Sequence, residues 1–369
     1  MSGLFSRMIW NLGVPIVRRK LNKKYTYSFH EENPEPEEGF LLLGNHVHHA
    51  DAFLMALNLK QPVSFMADRE AASFSSYMGG LLTGTIFRSL GTEDMKAIRK
   101  AHTLINRGHS VGIFPEGRRS WDGRGRSDLH KTARLAKLFH APLRLVRVEG
   151  LYLNQPRWAA QARQVPVDLY FKTITLNELD TLSVSELSEV LAPYLLHDEI
   201  KAAAGRRVEG DAFAEGVENL LWLCPACHSM DSLKGEGNRI VCQNCGAGSL
   251  LNGNLQLSGS PFADLGEWNE WQGNHKFEKK EILLSFEAEL SSKREPALST
   301  GKGELILQDG MLLFRIENRT MRFPLHELHS YNVLFNSQFY FTYGTKRFCL
   351  RTADKSLYKL LQICDALPR

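Results

Sequence analysis

An apolar run with its polar end, Leu41-Leu42-Leu43-Gly44-Asn45-His46, precedes a helical pattern that begins at Ala50. His46 and Asp51 therefore flank a predicted strand-to-helix turn. On a single helix, residues five apart would lie on different faces. Across a turn, the carboxylate can accept the Nδ1 proton of the imidazole and leave Nε2 free as a general base. His48 and His49 lie in the same turn, and either could be the functional imidazole instead.

A second apolar run ends at Phe114 and is followed by Pro115-Glu116-Gly117-Arg118-Arg119-Ser120. Open α/β sheets bind ligands at the carboxyl ends of their strands. Gly117 permits a close backbone approach, and Arg118 and Arg119 offer a fork that suits phosphate. Arg88 is a third candidate cation. Alone, the run is typical of a solvated basic loop, but beside His46 and Asp51 it indicates an anion-binding active site.

The region from residue 40 to residue 198 alternates apolar runs with helical patterns, such as Met95–Asn106. Near-continuous apolar strands separated by helices predict an α/β fold with a mostly parallel sheet covered on both faces. Ser183-Val184-Ser185-Glu186 fits a capping box and predicts the start of a further helix. The predicted strands are Phe40–Gly44, Pro62–Ala67, Ser110–Pro115, Leu143–Val148 and Val167–Ile174.

Both motifs resemble those of the glycerolipid acyltransferase family, typified by 1-acylglycerol-3-phosphate acyltransferases. Asn45-His46 through Asp51 matches N-H-x-x-x-x-D, and Phe114 through Ser120 matches F-P-E-G-T-R-S except that Arg118 replaces Thr. The resemblance implies that His46 deprotonates the acceptor hydroxyl and that Asp51 orients the His46 ring. The implied substrate-binding residues are Asn45, Arg88, Glu116, Gly117, Arg118 and Arg119.

The same resemblance implies the reaction. A fatty acyl group passes from an acyl thioester, carried by acyl carrier protein or coenzyme A, to the free hydroxyl of a lysophospholipid such as 1-acylglycerol 3-phosphate. The hydroxyl attacks the thioester directly, without an acyl-enzyme. The alternative is a catalytically inactive membrane adaptor, favoured only by Arg118 and by a short second motif around residues 84–88.

The excess positive charge lies in the first 27 residues, which hold six basic and no acidic side chains, whereas the other residues carry 39 basic and 41 acidic ones. This distribution argues against a nucleic-acid partner. The segment reads as two short amphipathic helices broken at Gly13-Val14-Pro15, with a Lys/Arg-only polar face suited to anionic lipid. Packing on the protein's own core is the other interpretation. Because no apolar run is long enough to span a bilayer, we expect a cytoplasmic, peripheral membrane protein.

Four of the six cysteines form two C-x-x-C pairs, Cys224 with Cys227 and Cys242 with Cys245. Four thiolates at this spacing are typical of a zinc ribbon, in which a closed tetrahedral site makes the zinc structural. A redox-active pair is the less favoured interpretation.

The C-terminal third alternates apolar and polar residues with period two and ends in a helical pattern from Leu357 to Cys364. Seven antiparallel strands and one helix resemble a pleckstrin-homology type of barrel. The predicted organisation is residues 1–25 as membrane-surface helices, 26–198 as the acyltransferase domain, 199–219 as a linker, 220–256 as the zinc ribbon and 275–369 as the barrel.

Overall fold

The computed structural model describes residues 3–71, 84–89, 95–276, 282–292, 301–316 and 319–367. The chain divides into two compact units, each of which is described separately. Unit 1 comprises Met1–Arg88, Asp94–Arg157 and Ala162–Asp211, and unit 2 comprises Ser89–Glu93, Trp158–Gln161 and Ala212–Arg369.

Unit 1 is built on a seven-stranded sheet. Its strands are β1 (Tyr27–Glu31), β2 (Leu41–Gly44), β3 (Val63–Asp68), β4 (Ile86–Arg88), β5 (Ser110–Ile113), β6 (Leu143–Glu149) and β7 (Val167–Ile174). The order across the sheet is β1-β7-β6-β2-β5-β3-β4. All pairs are parallel except β6 with β7. The prediction of a mostly parallel α/β sheet is confirmed.

The described residues of unit 1 form eight α-helices. They are α1 (Gly3–Leu21), α2 (Asp51–Ala56), α3 (Met95–Ile105), α4 (Leu129–Phe139), α5 (Leu151–Asn154), α6 (Leu176–Thr181), α7 (Val184–Leu195) and α8 (Glu199–Ala202). The predicted capping box is present, because Ser183 accepts the amide of Glu186 and the Glu186 side chain accepts the amide of Ser183. Ala97, Ala101 and Ile105 form the buried face of α3.

The prediction of two broken helices at the N-terminus is wrong. One helix, α1, runs from Gly3 to Leu21 with Pro15 inside it. A proline removes one hydrogen bond from a helix and bends it, but the flanking turns can continue. The side chains of Phe5 and Ile9, two members of the predicted apolar face, lie outside the described residues.

Unit 2 contains two antiparallel sheets. The smaller has the order β11-β10-β9-β8, from β8 (Leu233–Glu236), β9 (Arg239–Cys242), β10 (Gly248–Leu251) and β11 (Leu257–Ser258). The helix α9 (Leu265–Gly273) follows. The larger sheet comprises β12 (Ile282–Ser292), β13 (Lys302–Gln308), β14 (Met311–Ile316), β15 (Arg319–Pro324), β16 (Leu328–Leu334), β17 (Gln338–Tyr343) and β18 (Lys346–Arg351), and α10 (Tyr358–Ala366) ends the unit.

The larger sheet has the order β15-β14-β13-β12-β18-β17-β16. All seven predicted strands and the C-terminal helix are therefore present, and the pairs are antiparallel. No pair formed by the described residues joins the edge strands β15 and β16, so closure into a barrel remains a prediction. The first predicted strand also included Glu281, which lies outside the described residues.

The segment 199–219, expected to be a linker, is packed at several points. Ile200 and Ala203 are buried in unit 1, and Ala214 and Val217 are buried in unit 2. Isolated apolar residues can pack without forming a long periodic pattern, so the sequence pattern did not indicate that these positions are buried.

Candidate active site and metal site

His46 and Asp51 form the centre of the site in unit 1. His46 follows β2, Asp51 opens α2, and His46 Nδ1 lies 2.8 Å from Asp51 Oδ2. The same oxygen accepts the backbone N–H groups of Val47 at 2.8 Å and His48 at 2.9 Å. Asp51 is fully buried. Because a carboxylate only accepts hydrogen bonds, Nδ1 carries the proton and Nε2 retains its lone pair.

The neighbouring histidines have other environments. His48 is buried, and its Nδ1 accepts the backbone N–H of Ala50 at 3.1 Å. Burial lowers the pKa of His48 to about 2, so this ring stays neutral. His49 is exposed, and its ring centroid lies 3.9 Å from that of His48. Of the three rings, His46 is the one that makes the predicted contact with Asp51.

The loop after β5 closes on the backbone of His46. Glu116 Oε1 accepts the His46 N–H at 3.0 Å, and Ser120 donates its own N–H to the His46 carbonyl at 2.8 Å. The Phe114 ring stacks on the imidazole with centroids 4.2 Å apart. Gly117 has a φ of 69°, which a glycine adopts without strain. Burial raises the pKa of the Glu116 carboxyl to about 8.

The three predicted arginines differ in their contacts. Arg88 donates from Nε to Asp68 at 2.6 Å and from Nη2 to the Gly117 carbonyl at 2.5 Å. Arg118 is half-buried. Among the described residues, no carboxylate or carbonyl pairs with the Arg119 guanidinium, and burial lowers its pKa. An anionic ligand would therefore stabilise the charge of Arg119.

Asn45 faces the sheet. Its Nδ2 donates to the Val148 carbonyl at 2.9 Å and its Oδ1 accepts the Val148 N–H at 2.8 Å, and the side chain is fully buried. Asn45 thus fastens the end of β2 to β6, directly before His46.

Three contacts near the loop were not predicted from the sequence. Arg157 lies over the Trp121 ring at 3.7 Å and donates to the Arg119 carbonyl at 3.2 Å, and Asp68 pairs with Arg88. Trp121 and Asp68 lie close to the motifs in sequence, but no spacing in the sequence identifies the residues that they contact. These contacts depend on how the strands are ordered.

The four predicted cysteine ligands meet in unit 2. Their sulfur atoms all lie within 4.8 Å of one another, with Cys224 to Cys245 at 3.9 Å and Cys227 to Cys242 at 3.8 Å. A disulfide needs about 2.0 Å. Zinc–sulfur bonds of about 2.3 Å give a tetrahedron with edges of about 3.8 Å, so the cluster fits a four-thiolate metal site. A hydrogen bond from Ser229 lowers the pKa of Cys227 to about 7, whereas burial raises the pKa of Cys224 to about 12, so the thiols of the cluster differ in how readily they lose a proton.

The N-terminal helix presents apolar side chains to solvent. Met8, Leu12 and Ile16 are each more than half exposed and lie four residues apart, on one face of α1. Arg18 donates from Nη2 to the Leu57 carbonyl at 2.6 Å, near the end of α2. Among the described residues, no helix is both long enough and apolar enough to cross a membrane.

Residues 24–143 match the model of the family described as Acyltransferase. The matched residues, about a third of the chain, include both motifs. The search of curated proteins found no match. A solved structure, the 1-acyl-sn-glycerophosphate (LPA) acyltransferase PlsC from Thermotoga maritima, is similar at 19% identity and a TM-score of 0.44, over 50% of this chain and 76% of that one.

Proposed function

We propose that this protein transfers a fatty acyl group from an acyl thioester to the free hydroxyl of a lysophospholipid such as 1-acylglycerol 3-phosphate. The observation that carries the proposal is the 2.8 Å contact from His46 Nδ1 to Asp51 Oδ2 within an acyltransferase-type domain. Acyl carrier protein or coenzyme A supplies the thioester, and the product enters phospholipid biosynthesis.

His46 acts as the general base. Its Nε2 takes the proton of the acceptor hydroxyl while the hydroxyl oxygen attacks the thioester carbonyl. Collapse of the tetrahedral intermediate breaks the C–S bond, and the imidazolium returns the proton to the departing thiolate. Asp51 holds the imidazole in its Nδ1–H tautomer and stabilises the transient positive charge.

Arg119 binds the acceptor's phosphate. Its guanidinium is partly buried and makes no ion pair or hydrogen bond with the described residues. The nearby charge of Asp51 offsets only part of the cost of burial, so a bound phosphate would stabilise the guanidinium further. Gly117 and Arg118 lie in the same loop and line the proposed phosphate site. The Arg88 guanidinium donates to Asp68 and to the Gly117 carbonyl, so it stabilises the loop after β5 and adds positive charge near the proposed phosphate site.

The test is acyl transfer by purified protein from acyl carrier protein and coenzyme A thioesters to lysophospholipids and glycerol 3-phosphate. His46→Ala should lower turnover by about 10²–10⁴-fold, the usual contribution of a general base. His49→Gln is the matched control, because His49 is exposed in the same turn. Full activity in His46→Ala would exclude base catalysis by this residue. Wild-type protein that is inactive with every combination of thioester donor and acceptor would favour the alternative of a catalytically inactive membrane adaptor.

The exposed face of α1 supports docking on an anionic membrane surface. Met8, Leu12 and Ile16 provide an apolar stripe, and Arg19, Lys20 and Lys23 are exposed beyond it. A basic amphipathic helix of this kind lies in the headgroup region with its apolar face inserted.

The docking test reverses Arg19, Lys20 and Lys23 to Glu and spares Arg18, which bonds to the Leu57 carbonyl. Each cation near an anionic surface contributes about 1 kcal/mol, so binding to anionic vesicles should fall at least 10²-fold. The matched control reverses Lys96, Arg99 and Lys100, all exposed on α3, and should bind like wild type. Equal vesicle binding by the two triple variants would show that α1 is not the contact.

The cysteine cluster holds one structural zinc. The charge balance in the chain around it (Lys234 and Arg239 against Asp231 and Glu236) offers no basic patch for nucleic acid. A closed four-thiolate site leaves no position for a substrate, so the metal serves folding.

A further inference from the structure

The carboxyl group of Glu116 is occupied by the protein's own backbone. Its Oε1 accepts the His46 N–H at 3.0 Å, and the backbone N–H of Arg126 donates to the same carboxyl group. Two amide donors from separate segments therefore converge on one side chain. One segment carries His46, and the other is the loop that continues from Ser120.

The contacts around His46 fix its backbone from both sides. Glu116 accepts from the His46 nitrogen, Ser120 donates to the His46 carbonyl at 2.8 Å, and Phe114 packs on the ring. Asp51 then fixes the rotation of the ring through Nδ1. Among the described residues, only Glu116 accepts a hydrogen bond from the backbone N–H of His46.

A carboxyl group in this position is a poor ligand for phosphate. Burial and the nearby charge of Asp51 disfavour a negative charge on Glu116, and an added phosphate would disfavour it further. An acid that has kept its proton remains an acceptor for amide N–H groups. The Arg119 guanidinium, in contrast, gains from a phosphate.

We propose that Glu116 is a positioning residue, which sets the place of His46 by accepting its backbone N–H and does not bind the acceptor lipid. This inference rests on the proposed acyl transfer for its kinetic test and on the His46 environment for its second test.

The kinetic test compares Glu116→Ala, Glu116→Asp and Glu116→Gln. Loss of the acceptor should let the His46 turn shift, and displacements near 1 Å commonly cost about 10²-fold in rate. We expect kcat of Glu116→Ala to fall by about that factor while KM for the acceptor stays within about twofold. Gln retains an acceptor oxygen at the same reach, so it should restore kcat to within about fivefold of wild type. Asp, one methylene shorter, should not.

A role in lipid binding gives the opposite pattern. KM for the acceptor would rise in all three variants with kcat little changed, because binding to ground state and transition state would be lost together. That pattern would overturn the proposal.

The second test needs no substrate. The ¹⁵N resonances of the His46 ring, assigned with His46→Gln in histidine-labelled protein, report its tautomer and titration. They should shift in Glu116→Ala and Glu116→Asp, match wild type in Glu116→Gln, and stay unchanged in the control Ser183→Ala, which alters a distant helix cap. Unaltered His46 resonances in Glu116→Ala would refute positioning, whatever the activity. An inactive wild type with the expected shifts would refute acyl transfer alone. If Glu116→Ala does not fold, the Asp and Gln pair decides.

Discussion

Glu116 should make the stability of unit 1 depend on pH, and replacing it with Gln should remove that dependence. Burial raises its pKa from 4.5 in the unfolded chain to about 8 in the fold. Below pH 4.5 both states hold the proton, so the group contributes no pH dependence there. Between pH 4.5 and 8 only the folded state keeps it, and the free energy of unfolding falls by about 1.4 kcal/mol per pH unit.

The expected difference is large enough to measure. Between pH 5 and pH 7 the wild type should lose about 3 kcal/mol that Glu116→Gln does not lose, and above pH 8 the two curves should run parallel. Any constant offset from the changed hydrogen bonds does not affect this slope. The exposed residue Glu38 provides a matched control as Glu38→Gln, which should follow the wild-type slope.

Urea denaturation at pH 5, 6, 7 and 8, followed through the His46 ring resonance, measures unfolding of unit 1 alone. Parallel pH curves for wild type and Glu116→Gln would refute the reasoning, because they would mean that the folded carboxyl ionises as readily as the unfolded one.

Three further outcomes are expected. Asn45→Ala leaves the buried N–H and C=O of Val148 unpaired, so the free energy of unfolding measured in urea should fall by about 1–3 kcal/mol for each group. An unchanged midpoint would show that these two hydrogen bonds do not stabilise the fold. Cys242→Ser should reduce zinc from one per chain to none by metal analysis, and full stoichiometry would exclude the four-thiolate site. Ser183→Ala should destabilise α7 by about 1 kcal/mol without changing KM, and a kinetic effect would show that this cap influences the site.

The sequence predicted the elements that depend on local patterns. Period-two alternation predicted the seven strands of the larger sheet in unit 2, and the Ser183 capping box predicted a helix start, because both signals lie within a few residues. The contact between His46 and Asp51 was also predictable, since a strand-to-helix turn leaves few ways for those side chains to point.

The sequence could not predict contacts that depend on strand order. β1 pairs with β7 at the far side of the sheet, and β7 runs antiparallel to β6, which no local signal marks. The pairing of Arg88 with Asp68 requires β3 and β4 to be neighbours. For the same reason the sequence suggested that Glu116 is a substrate ligand, whereas in the structure its side chain accepts the backbone N–H of His46, 70 residues away.

The shared acceptor at Asp51 has a consequence for the energy of charge formation at His46. Three N–H groups already converge on Oδ2 and hold that oxygen beside the imidazole, which in the proposed reaction gains a second proton. In water, solvent dipoles would have to reorient around the new cation, and this reorganisation would add to the barrier. In the proposed reaction, the negative end of the ion pair is in place before the proton moves, so the reorganisation energy is met once, when the chain folds, and not in every turnover.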